Sequence, residues 1–133
     1  MKESDLQIQV ADYLRMQYPH VIFHSDYGSG IRLTKGQAIR QKRQNGGLRG
    51  YPDMFIAEPV PRCINGGWKD VWNGLFIELK KEGTRLKKKN GEWASEHIAE
   101  QADMLERLEF RGYKASFAVG FDEAKQIIDS YLK

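Results

Sequence analysis

Two short stretches hold residues whose types and spacing suit one chemistry. Gly50-Tyr51-Pro52-Asp53 ends a glycine-proline turn on a carboxylate. Leu75-Phe76-Ile77-Glu78-Leu79-Lys80 sets an acid and a base two residues apart inside an apolar run. Successive side chains of a strand point to opposite faces, so Glu78 and Lys80 share one face and Leu75, Ile77 and Leu79 the other. A carboxylate and an ammonium on a buried strand cost free energy unless they are paired or hold a cation. Asp53, at the start of a neighbouring strand, adds a second carboxylate. Two carboxylates and a lysine converging at a sheet edge suit metal-assisted hydrolysis of a phosphodiester. Hard divalent ions take oxygen ligands, a bound ion activates water and offsets phosphoryl charge, and lysine adds positive charge where the transition state gains negative charge. Plainer readings stand beside this one: Pro-Asp is a common turn pair, and Glu78 with Lys80 could be only a strand-edge ion pair.

The elements that must position these groups follow from periodicity. Residues 3–17 predict an amphipathic helix with Leu6, Val10, Tyr13 and Leu14 inward, Ile8 and Ala11 widening the stripe, Ser4 or Asp5 as cap, and Pro19 as stop. Glu3 in its first turn is by itself an ordinary dipole-favoured acid. Val21–His24 predicts a strand, broken by a loop over 26–30. Residues 34–44 predict a short helix capped by Thr34 and stopped by Asn45-Gly46-Gly47. Tyr51–Ala57 and Gly74–Lys80 predict the two strands of the site. Between them, Glu58–Asn73 reads as an excursion punctuated by Pro59, Pro61 and Asn65-Gly66; Trp68 and Trp72 are expected to pack on the body rather than on a subunit or a base. Residues 81–91 read as a mobile basic loop. Residues 93–110 predict the longest helix, capped by Ser95, with Gln101 on the flank of its stripe and Gly112 as stop. Tyr113–Val119 predicts a strand. Phe121–Leu132 predicts a closing helix capped by Asp122. The order α, β, α, β, β, α, β, α predicts an α/β domain with a central mixed sheet flanked by helices.

Charge is distributed unevenly. The 133 residues carry 21 Lys and Arg against 18 Asp and Glu, yet 31–50 contains no acid. Arg32, Lys35, Arg40, Lys42, Arg43 and Arg49 lie there, interleaved with Gln, Asn, Thr and Gly that can contact phosphate or sugar. Lys81, Arg85, Lys87, Lys88 and Lys89 follow the second strand of the site. A hydrophobic fraction of 41% supports one cored domain over 1–133. No apolar run approaches the roughly 18 residues of a membrane-spanning helix. The polar N-terminus lacks the core of a signal peptide, and a lone Cys63 forms no internal disulfide. These features predict a cytoplasmic protein. His20, His24 and His97 show no zinc-type spacing.

Pro52-Asp53 followed by Glu78-Leu79-Lys80 resembles the PD-(D/E)XK signature of the restriction-endonuclease-like fold. Glu3 with Leu6-Gln7, the Gly50-Tyr51-Pro52-Asp53 turn, and Gln101 followed by Leu105, Leu108 and Gly112-Tyr113 together resemble the VRR-NUC family in its small stand-alone form, often carried by phages. The likeness spans the chain except Glu58–Asn73. It implies a Mg²⁺- or Mn²⁺-dependent, structure-selective DNA endonuclease, similar to Holliday-junction resolvases and homodimeric, working in the host cytoplasm if phage-encoded. It further implies that Asp53 and Glu78 ligate the metal with the Leu79 carbonyl, and that Glu3 reaches it directly or through water. Lys80 would orient or deprotonate the attacking water, with orientation and charge stabilisation favoured, and Gln101 would position the water or Lys80. Two other classes remain open: a nucleic-acid-binding module without cleavage, and a small regulatory domain without metal affinity.

Overall fold

The computed structural model describes residues 2–26, 33–64 and 67–133. Ten elements follow in order: α1 (Glu3–Gln17), β1 (Phe23–Ser25), α2 (Lys35–Gln44), β2 (Met54–Ile56), β3 (Val60–Ile64), β4 (Gly67–Trp72), β5 (Leu75–Lys80), α3 (Glu96–Phe110), β6 (Lys114–Val119) and α4 (Phe121–Leu132). The main sheet runs β1-β2-β5-β6. The β1–β2 and β2–β5 pairs are antiparallel, and β5–β6 is parallel. The expected α/β architecture with a mixed central sheet is therefore the observed one.

Strand β5 lies at its centre and is buried on both faces. Leu75, Ile77 and Leu79 meet Leu6, Val10 and Leu14 of α1 and Ala124, Ile128 and Tyr131 of α4. On the opposite face Phe76 packs with Leu105 of α3 and Ala115 of β6, and Phe55, Tyr113 and Phe117 close around them. Two helices thus cover one face and one helix the other. Leu6, Val10 and Leu14 recur every four residues, which keeps them on one side of α1. Ile8 falls on the other side and is 60% exposed, so the stripe is narrower than expected.

The segment read as an excursion forms a hairpin, β3–β4, with a register shift between Arg62 and Cys63. Pro61 sits within β3, and the apolar alternation is too weak to announce a strand pair. The half-buried Trp72 joins the main core, with the Arg62 guanidinium 4.1 Å from its ring centre. Residues 81–91 also depart from expectation. Lys88 N–H donates to Glu92 C=O (2.7 Å), Ala94 N–H donates to Leu86 C=O (2.8 Å), and Lys87 bridges to Trp93. The basic loop is a closed, hydrogen-bonded turn.

Caps divide into two groups. Thr34 and Gln37 form a reciprocal capping box on α2, and Ser95 Oγ accepts from Ile98 N–H on α3. Helix α1 instead begins at Lys2, and α4 begins at Gly120, both without a side-chain cap; Ser4, Asp5 and Asp122 do not cap. Glu123 Oε1 accepts from Val119 N–H at the start of α4. Among the described residues no helix is long and apolar enough to cross a membrane.

Gly74 precedes β5 where a side chain has no room. A Cβ there would lie 2.5 Å and 2.8 Å from ring atoms of Phe55 and 2.9 Å from the Ile56 carbonyl oxygen. Gly74→Ala is expected to destabilise the fold by about 1–3 kcal/mol through overpacking, measured as a lower urea midpoint; an unchanged midpoint would show that the aromatic stack yields freely.

Candidate metal centre

The site grows from the end of the β2–β5 ladder. Met54 pairs with Ile77, so one further antiparallel step sets Asp53 opposite Glu78. Strand β2 stops there, while β5 runs on through Lys80. The Leu79 N–H, directed to the β2 side, then lacks a backbone partner and donates instead to Asp53 Oδ2 at 2.9 Å. The N–H and C=O of one strand residue point the same way, so the Leu79 carbonyl faces the Asp53 side as well.

Alternation puts Asp53 and Phe55 of one chain segment, and Phe76, Glu78 and Lys80 of the other, on the face that α3 covers. Glu78, Lys80 and Gln101 are 4%, 7% and 5% exposed. Gln101 Nε2 donates to Glu78 Oε1 at 2.5 Å, and Lys80 Nζ stands 3.9 Å from the same oxygen. Glu78 Oε2 and Gln101 Oε1 are buried with no hydrogen-bond partner. Gln101, expected on the helix flank, is thus buried in the site.

Gly50 explains how the turn and α3 meet. Its φ is +74°, and a Cβ would lie 2.9 Å from the Glu100 carbonyl oxygen and 3.0 Å from the Gln101 N and Cα. Only glycine allows the turn to rest directly on the backbone that carries Gln101. The approach of α3 and the placement of Asp53 are therefore one packing event.

Burial and mutual repulsion shape the electrostatics. Burial raises the Asp53 carboxyl to about 6; the Leu79 hydrogen bond and Lys80 lower it, while Glu3 and Asp26 raise it. Burial likewise raises Glu78 to about 9, with repulsion from Asp53 next and attraction to Lys80 opposing. Glu3 acts on both carboxyls, which puts the start of α1 within electrostatic reach. Asp26 is a group that the sequence reading left in a loop. Its N–H donates to the Asp53 carbonyl at 2.6 Å, and Gln7 Nε2 donates to its carbonyl and to Ser25 Oγ, both at 2.5 Å. The available signal was that Glu3 and Gln7, four residues apart, share a face of α1.

The donor set fits a hard divalent cation. Two carboxyls held at raised pKa, one of them with an orphaned oxygen, stand beside a strand carbonyl. Mg²⁺ needs only one or two carboxylates and keeps several waters. Among the described residues, no three His, Cys, Asp or Glu side chains stand together as a ready cation cluster.

The predicted basic residues occupy two places. Lys35, Arg40, Lys42 and Arg43 project from α2, which buries none of its residues. Lys81, Arg85, Lys87, Lys88 and Lys89 lie exposed after β5. Lys87 Nζ lies 4.8 Å from the Trp93 ring centre, and Arg49 pairs with Glu100 at 3.7 Å. Arg32 falls outside the described residues.

The raised carboxyls have a pH consequence. A folded pKa above the unfolded one means the native state holds the proton more tightly. Stability is then retained at low pH and falls as pH rises, from 3.8 to about 6 for Asp53 and from 4.5 to about 9 for Glu78. Glu78→Gln is expected to flatten this decline, so that its urea midpoint exceeds that of the wild type at pH 9 and approaches it at pH 4. Parallel curves for the two proteins would show that Glu78 carries no such burden.

No protein-family model matches the sequence, and no curated protein is significantly similar to it. The structure is similar to a solved one described as a VRR_NUC domain protein, with a TM-score of 0.64 and 24% sequence identity over 99% of this chain and 88% of that one. This chain has the fold of that VRR_NUC domain protein, an α/β fold consistent with a restriction-endonuclease-like core.

Proposed function

We propose that this protein is a metal-dependent, structure-selective DNA endonuclease of the VRR-NUC type, acting on branched DNA such as Holliday junctions. One observation carries the reading. Glu78 and Lys80 are buried side by side at the end of β5, opposite Asp53, and Glu78 keeps an oxygen without a protein partner. A polar group is rarely left so deep without a ligand. The similarity of fold to a VRR_NUC domain protein supports the same reading.

Asp53, Glu78 and the Leu79 carbonyl would hold Mg²⁺ or Mn²⁺, with Glu3 joining directly or through water. The ion supplies Lewis acidity that makes water nucleophilic near neutral pH and offsets charge on phosphoryl oxygens. Lys80 orients the attacking water and places positive charge where the phosphate gains negative charge. Gln101 fixes Glu78 through its amide N–H, and its unpartnered oxygen is free to accept from that water. Basic α2 and the turn after β5 engage the DNA backbone without reading bases. A homodimer would present two such sites across a two-fold axis, which suits paired nicks in a branched substrate. The basic helix α2, which buries none of its residues, would equally serve a second reading, a nucleic-acid-binding module that does not cut.

Labelled four-way junction, flap, duplex and single-stranded DNA, incubated with Mg²⁺ or Mn²⁺, separate the two. Cleavage of the junction or flap is expected, with Asp53→Asn and Lys80→Ala each slowed by about 10²-fold or more while binding persists. Salt-sensitive binding with no cleavage in either metal would replace the first reading with the second.

A further inference from the structure

We propose that the cavity beside Asp53 receives the base of an unpaired nucleotide adjoining the phosphate to be cut. The inference deepens the nuclease reading and rests on it for the choice of DNA as ligand. The cavity has a volume of about 380 Å³, within the range of roughly 300–1,000 Å³ typical of small-ligand sites. Its floor is aromatic. His24 pairs across the sheet with Phe55, whose ring stacks on Phe76 at 4.4 Å. Tyr51 forms a wall, held edge-on to Phe76 at 5.6 Å and still 49% exposed. Asn45, just past α2, supplies an amide at the rim, and Asp26 and Asp53 supply carboxylates.

Charge selects the occupant. Among the described residues the lining holds two carboxylates, one of them the Asp53 that would hold the metal, and neither Lys nor Arg, so beyond the metal it offers a phosphate no cation. A flat neutral ring with N–H donors at its edge suits it: aromatic side chains stack on either face of a base, and amides and carboxylates bond its edge. The cations stand outside, on the last turn of α2 at Lys42 and Arg43. A strand whose backbone follows α2 would bring a base to the cavity and its phosphate to Asp53. A paired base could not enter without leaving its stack, at a free-energy cost that an already unpaired one avoids. The cavity therefore favours branch points and frayed ends over continuous duplex.

The test uses the intact protein with Ca²⁺ in place of Mg²⁺, so that DNA is bound uncut. Oligonucleotides carry 2-aminopurine at successive positions of an unpaired segment or of the matched duplex. Fluorescence is expected to be quenched by stacking at one unpaired position and at none in the duplex. Tyr51→Ala should abolish that quench and weaken binding about tenfold, whereas Tyr51→Phe should keep both. Asn45→Ala, at an exposed helix end, should weaken the same position with the fold intact. An abasic site there should cost wild type the same affinity and cost Tyr51→Ala nothing more. Cleavage in Mg²⁺ without a positional quench, and with equal affinity for abasic DNA, would overturn the pocket and leave the nuclease reading standing. A positional quench without cleavage of any DNA would do the reverse. Failure to bind DNA would overturn both.

Discussion

The structure depends on a carboxylate and an ammonium buried together on a strand that is covered on both faces. Glu78 and Lys80 lie within a strand whose six residues are all buried. One face of β5 is apolar and packs on α1 and α4. The other carries Phe76 and then turns polar towards its end. Apolar packing holds the strand rigid and keeps both groups from water, and that burial is what makes the Glu78 carboxyl hold its proton up to about 9. The pair at 3.9 Å is too long for a strong hydrogen bond, so the Gln101 amide does more than Lys80 to hold Glu78.

The other parts of the site are tied to this strand by specific contacts. Asp53 is fixed because β2 ends one residue short and its carboxylate takes the Leu79 N–H that the ladder leaves over. Gly50 lets the turn rest on α3, which also fixes Gln101. Gln7 ties α1 to the end of β1, where the Asp26 N–H bonds Asp53. Acids and lysine thus arrive from the sheet and the amide from α3. The basic helix α2 is built differently: Thr34 and Gln37 cap its start, it buries none of its residues and it keeps its cations in solvent.

Residue alternation made much of the site readable. The Glu-x-Lys spacing on a strand settled that Glu78 and Lys80 share a face, and glycine and proline marked the turn before Asp53. The helix spans followed from apolar spacing of three and four. What was missed was set by neighbours distant in sequence. Gln101 looked like a flank residue because its own helix does not show that Gly50 packs against it. Asp26 looked like a loop acid because its hydrogen bond to Asp53 spans 27 positions. The β3–β4 hairpin was obscured by proline and polar residues, and its strands pair mainly with each other.

The sequence by itself determined which residue types could meet and on which faces, since strand and helix periodicity are local properties of the chain. It also determined the α/β order and the one-sign basic segment. Only the tertiary structure decided that Glu78 is buried with an unpartnered oxygen and that Asp53 stands opposite it. It also decided that an aromatic cavity opens beside them. Burial, pKa and cavity shape come from how separate segments exclude water together, and no single segment carries that information.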